Sequence, residues 1–154
     1  MKRVIVLQGV SGSGKTHYAK KLISDSKNPL LVSADNYLGH KFDPTKLGEA
    51  HALCFRIFVD ELVHGGEDWE EHDLIIVDNT NTDACELAPY MLAASAFGVR
   101  AIIVRVDCDL EIASKRTRHN VPTNAISRQA TRIRESNEVI ARRGWELQFV
   151  NGEK

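Results

Sequence analysis

Residues 9–16 read GVSGSGKT, which sets a lysine and a hydroxyl behind a glycine-rich turn in the pattern G-x-x-x-x-G-K-[ST]. That spacing suits a polyphosphate. The glycines let the backbone curl around an anion, successive N–H groups point inward, and the dipole of the following helix adds to them. Lys15 then brings a cation to the terminal phosphates, and Thr16 offers a hydroxyl to Mg²⁺, a cation that takes oxygen ligands and keeps waters. The residues expected to hold nucleotide are therefore Gly9, Ser11, Gly12, Ser13, Gly14, Lys15 and Thr16, with ATP and Mg²⁺ as the ligands.

Two apolar runs end in acids. Leu74-Ile75-Ile76-Val77 leads into Asp78. Any apolar strand can end in aspartate at a turn, but after a phosphate loop the acid is a metal residue opposite Thr16. Asn79-Thr80-Asn81-Thr82 follows, either as amides and hydroxyls at a cleft mouth or as a polar turn. Leu31-Val32-Ser33-Ala34 leads into Asp35. Phosphoryl transfer needs a group that takes the acceptor's proton and aligns its oxygen, and Asp35 is the candidate base. The alternative is an aspartate cap on the segment that begins Asn36-Tyr37. Farther on, Lys115-Arg116-Thr117-Arg118-His119-Asn120-Val121-Pro122 joins a helix end to a loop. Arginine forks in such a flap, Arg116 or Arg118, suit phosphate oxygens and the charge that shifts in a transition state. Closure of the flap would exclude water. A basic helix end answering the macrodipole is the alternative.

These groups need elements to position them. Short β-rich runs at Arg3–Leu7, Leu30–Ser33, Leu74–Asp78, Ala101–Val106 and Leu147–Val150 alternate with helical patterns. The helices are expected near Lys15–Asp25, Pro44–Val63, Ala84–Phe97, Leu110–Thr117 and Thr123–Ala141. Alternation with continuous apolar strands predicts an α/β fold: five strands, mostly parallel, with helices on both faces. Catalytic groups should gather at the strands' carboxyl ends. Asp43 before Pro44 reads as an N-cap with proline at the first helical position, and Gly65-Gly66 as a C-terminal stop. The stripe Leu47, Ala50, His51, Cys54, Ile57, Phe58 and Glu61 has helical spacing, so His51 is expected to be packed or hydrogen-bonded within it, with contact to substrate as the alternative.

A length of 154 residues fits one domain over 1–154 with a real core, and 43% hydrophobic residues make it globular. A net charge of −1 excludes a chain that binds nucleic acid by bulk charge. The charge is uneven. Glu67, Asp68, Glu70 and Glu71 read as a solvated acidic face, while the arginines from Arg128 to Arg143 could border a polyanion site. Cys54, Cys85 and Cys108 are odd in number and lack C-x-x-C spacing, which fits free thiols in a reducing compartment rather than disulfides or zinc. The opening apolar run is too short for a signal peptide and no run approaches a membrane span, so a cytoplasmic location is expected.

Taken together, GVSGSGKT, VSADNYL, the KFDP…EAH helix, LIIVDNTNT and KRTRHNVP resemble the polynucleotide-kinase-like branch of the small P-loop kinases. The resemblance covers most of the chain. It implies a P-loop NTPase fold and an ATP-dependent kinase acting on a hydroxyl, with a nucleic acid or nucleotide as the leading acceptor. It also implies Asp35 as general base, Lys15 and Thr16 as phosphate and metal residues, and Arg116 or Arg118 as the lid arginine. One position departs. Where phage polynucleotide kinases carry an arginine for the acceptor's 3′-phosphate, this chain has Leu38, and Asn36 replaces a second acid. Leucine cannot bind phosphate. Either another base such as Lys41 or Arg128 substitutes, or the acceptor is a small metabolite such as a nucleoside or sugar. A nucleotide-binding module with no acceptor is the remaining alternative.

Overall fold

The computed structural model describes residues 2–38, 43–64, 72–117 and 120–153. Lys41, the Gly65-Gly66 stop, the acidic cluster from Glu67 to Glu71, Arg118 and His119 lie outside the described residues.

Five strands form the sheet: β1 (Arg3–Gln8), β2 (Pro29–Val32), β3 (Leu74–Val77), β4 (Arg100–Asp107) and β5 (Glu146–Asn151). Their order is β2-β3-β1-β4-β5, and all four pairings are parallel, where the sequence predicts a mostly parallel sheet. Covering both faces of such a sheet makes its central strands apolar throughout. Val4, Ile5, Val6 and Leu7 of β1 and all four residues of β3 are at most 4% exposed.

Strand periodicity divides these residues between two layers. Val4, Val6, Ile75, Val77 and Ile103 point to one face. There they meet α3 (Leu47–His64) and α4 (Ala84–Ala96), whose Phe58 and Tyr90 rings pack edge-on at 5.0 Å. Ile5, Leu7, Leu74, Ile76, Ile102 and Val104 point to the other face, covered by α1 (Lys15–Asp25) through Tyr18, Ala19, Leu22 and Ile23. A third, smaller cluster joins Val10 in the glycine loop to Ala113 of α5 (Leu110–Arg116) and to Ile126 and Ile133 of α6 (Thr123–Arg143). It sets these two helices against the loop that follows β1.

The expected helix at Pro44 begins as a 3₁₀ turn, Pro44–Lys46, before α3. Asp43 caps that turn, its carboxylate accepting from the Thr45 N–H at 3.0 Å. One element is new: α2 (Ala34–Leu38), a five-residue helix directly after β2. Leu38 at its end packs against the core beside Tyr37 and Leu47. Among the described residues no helix is long and apolar enough to cross a membrane.

Candidate active site

The strand order places the tips of β2, β3 and β1 side by side, so the segments carrying Asp35, Asp78 and Lys15 emerge on one edge of the sheet. Backbone bonds level them. The Asp78 N–H donates to the Val32 carbonyl at 2.8 Å, and the Gly9 N–H donates to the Thr80 carbonyl at 3.1 Å. A cleft of about 580 Å³ lies between these tips and the α5–α6 side.

The loop between β1 and α1 depends on Gly12. Its φ is +80°, and a Cβ there would run into the Ala113 carbonyl. Gly14 forms the N-cap of α1 without a side-chain hydrogen bond, and the first turn of α1 carries no acid, which leaves a helix start suited to an anion. Lys15 is 8% exposed, and its ammonium donates to the Val10 carbonyl at 2.8 Å, folding back over the loop. Burial pushes the Lys15 ammonium down from its ordinary range to about 8, against the pull of the Asp78 and Asp35 carboxylates.

The Thr16 hydroxyl donates to Asp78 Oδ2 at 3.1 Å. A hydroxyl and a carboxylate at one point are hard oxygen donors of the kind Mg²⁺ accepts. Among the described residues no group of three or more His, Cys, Asp or Glu could form a metal cage. Magnesium shared with phosphates needs no such cage, so the donor set fits that ion.

The polar run after β3 divides. Asn79 and Thr80 line the cleft, whereas Asn81 and Thr82 are buried joints. Asn81, at φ 46°, donates through Nδ2 to the Leu7 carbonyl at 2.8 Å, and Gln8 Nε2 donates to the Asn81 carbonyl at 3.1 Å. The Thr82 N–H donates to Glu86 Oε2 at 2.6 Å. Both readings of this run therefore apply, to different halves.

Asp35 is exposed and lines the cleft. It stands in the first turn of α2, not ahead of a segment starting at Asn36. The start of that helix is tied to the β3 tail, since the Ala34 N–H donates to Asn79 Oδ1 at 2.9 Å. His51 departs from the packed position expected of it. The buried face of α3 is Ala50, Cys54, Phe58 and Leu62, so His51, one residue past Ala50, is exposed and lines the cleft with Leu47.

Arg116 also lines the cleft but clasps the turn after β5. Its Nη1 donates to the Gly152 carbonyl at 2.7 Å and its Nη2 to the Glu153 carbonyl at 3.5 Å. The Glu153 carboxylate in turn accepts from the Asp109 N–H at 2.9 Å.

Gly152 and Gln129 line the cleft without belonging to a motif. Gly152 lies so close to the loop that a Cβ on it would overlap the Ser13 carbonyl. Gln129 of α6 accepts from the Ser11 N–H at 2.9 Å and donates to Ser11 Oγ at 3.2 Å. A signal for Gln129 existed: it lies three residues after Ile126 and four before Ile133, a polar residue on a buried stripe.

Comparison with known proteins agrees with this architecture. Human NEDD4-binding protein 2 is 33% identical over 93 residues, 57% of this chain but 5% of that protein's length. A chain in the structure of the Pnkp1/Rnl/Hen1 RNA repair complex is similar in fold at a TM-score of 0.70 and 17% identity, covering 90% of this chain and 46% of that one. A gluconokinase from Sinorhizobium meliloti 1021 is similar at a TM-score of 0.64 and 13% identity, covering 99% of this chain and 83% of that one. The parallel five-stranded sheet with its phosphate loop is thus a fold shared with these two chains. With residues 4–140 matching its family model, the chain belongs to the AAA domain family.

Proposed function

We propose that the protein is an ATP-dependent phosphotransferase that moves the γ-phosphate to a hydroxyl, with the 5′-hydroxyl of a polynucleotide or nucleotide as the leading acceptor. One observation carries the reading. Lys15, the Thr16–Asp78 pair and Asp35 meet in a single cleft at the carboxyl edge of the sheet, on the segments that follow three adjacent strands.

The residues then divide the work. Loop N–H groups and Lys15 hold the triphosphate. Thr16 and Asp78 would hold Mg²⁺, which supplies charge neutralisation to the phosphates when bound. Asp35 takes the proton of the acceptor hydroxyl as its oxygen bonds to the γ-phosphorus, and the bond to the bridging oxygen breaks to release ADP. Arg116 spends two donations on the turn after β5, and a guanidinium has five N–H groups, so the rest are available to phosphate. Arg118 stands as the alternative lid arginine.

The exposed Arg128 and Arg132, one turn apart on α6, support a polyanionic acceptor. A second reading, a small-metabolite kinase, is supported by Leu38, which packs into the core where a phosphate-binding arginine would be needed for a polynucleotide. The three free thiols fit a cytoplasmic setting, with residues 1–154 acting as one kinase domain.

The test is transfer from γ-labelled ATP with Mg²⁺ to 5′-hydroxyl DNA and RNA oligonucleotides, nucleosides and sugars, beside Asp35→Ala. Label on an oligonucleotide 5′ end, reduced about 10²–10⁴-fold in Asp35→Ala while ATP still binds, is the expected result. Label only on a small acceptor selects the metabolite reading. Full transfer by Asp35→Ala removes Asp35 as the base, and blank lanes throughout point to a nucleotide-binding module.

A further inference from the structure

We propose that Gln129 reads the terminal phosphate, separating a nucleoside triphosphate from a diphosphate; the inference rests on the nucleotide-binding role of the loop. Its amide orientation is settled by chemistry. The Ser11 backbone N–H can only donate, so Gln129 Oε1 faces it at 2.9 Å, and Nε2 is left to donate to Ser11 Oγ at 3.2 Å. The helix behind this amide is fixed against the same loop, because Ile126 and Ile133 pack with Val10.

Lys15 locates the terminal-phosphate end of the loop. A lysine in this motif serves the outermost phosphates, and its ammonium lies 2.8 Å from the carbonyl of Val10, the residue before Ser11. Ser11 and Gln129 therefore stand where the last phosphate of a triphosphate arrives. An amide nitrogen carries two hydrogens, and Ser11 Oγ takes one. The second suits an oxygen of the γ-phosphate, and a diphosphate ends short of it. Being neutral, the amide can hold Ser11 without repelling the anion.

The experiment is calorimetric binding of the non-hydrolysable ATP analogue AMPPNP and of ADP, each with Mg²⁺, to wild type, Gln129→Ala and Gln129→Glu. Thermal melting without nucleotide checks that both variants fold. Wild type should prefer AMPPNP. A hydrogen bond to a charged group implies that Gln129→Ala weakens AMPPNP roughly tenfold or more while ADP stays within about twofold. Gln129→Glu keeps the shape but opposes a carboxylate to the γ-phosphate, and should weaken AMPPNP further.

Equal loss of both ligands in Gln129→Ala would mean that the amide only shapes the loop, and tighter binding of both would mean that it competes with phosphate. Either result overturns the proposal, as does a triphosphate preference unchanged in the variants. Wild type binding neither nucleotide would instead overturn the phosphate-loop reading, and this proposal with it.

Discussion

Nucleotide affinity should fall as pH rises through 8, because burial leaves the loop lysine short of a proton before the phosphates arrive. In the unliganded protein the Lys15 ammonium is pushed down to about 8 by desolvation, with Asp78 and Asp35 only partly opposing it. Bound phosphates add negative charge beside it and hold the proton on. The charged fraction without ligand is ~0.76 at pH 7.5 and ~0.09 at pH 9, so affinity should drop roughly eightfold between them, about 1.2 kcal/mol. Ionisation of the terminal phosphate would raise affinity as pH rises, so it cannot produce the expected fall.

Calorimetric titration with AMPPNP reads both the affinity and, from buffers of different ionisation heat, the proton uptake, expected at roughly 0.9 per site at pH 9. Lys15→Arg keeps its charge across the range and should bind with no pH dependence. A flat wild-type affinity from pH 7.5 to 9, or proton release on binding, would refute the reasoning. Stability of the unliganded protein moves the other way. The unfolded chain, with its lysine at 10.5, binds more protons than the folded one between 8 and 10.5. The burial cost of the charge is thus fully present below 8 and is relieved as pH rises across that window.

Gly152→Ala would put a Cβ onto the Ser13 carbonyl, forcing the turn after β5 off the phosphate loop. Overpacking of this kind costs about 1–3 kcal/mol, so both the melting temperature and the AMPPNP affinity should fall; unchanged values would show that the turn is no wall of the site. Arg105 is 6% exposed, donates to Gln8 Oε1 at 2.8 Å and lies over the Phe149 ring at 5.4 Å. Arg105→Leu leaves the buried Gln8 oxygen without that donor and should cost about 1–3 kcal/mol in urea unfolding, and less in a Gln8→Leu background, where that oxygen is already gone. Strictly additive losses in the double variant would break the link.

The sequence carried the sheet and the phosphate loop because both leave local marks. A strand buried on both faces must be apolar throughout, and Val4–Leu7 and Leu74–Val77 are. A loop that wraps an anion needs glycines at fixed spacing. What stayed hidden depends on partners far along the chain. The five residues of α2 are too few for a helical period, and the helix start is held by Asn79, 45 residues away. Stripe arithmetic allows neighbouring positions on the same side of a helix, so it could not separate His51 from Ala50. Arg116 binds a backbone carbonyl 36 residues on, and a carbonyl has no sequence signature. Asn81 and Asn79 look alike in the run DNTN, yet one caps α2 from the cleft and the other is locked to β1.

These differences in visibility follow a difference in mechanics across the cleft. On the β2-β3-β1 side, Asp35, Asp78 and Lys15 follow strands joined by a continuous parallel ladder, and backbone bonds at Asp78 and Gly9 level the segments between them. Separating that half would unmake the sheet. On the α5–α6 side, the loop is met by Gln129 on Ser11 and by Arg116 on Gly152, with Glu153 on Asp109 bracing the turn, and the small cluster around Val10 lies beneath. The Arg116 contact is exposed, so a phosphate oxygen can stand in for the Gly152 carbonyl, while Gln129 can keep Ser11 and still donate its second amide hydrogen. The proposed phosphoryl transfer would draw on both properties: a fixed half that sets the distance between Asp35, the Thr16–Asp78 pair and the loop, and a second half whose contacts can shift as nucleotide enters.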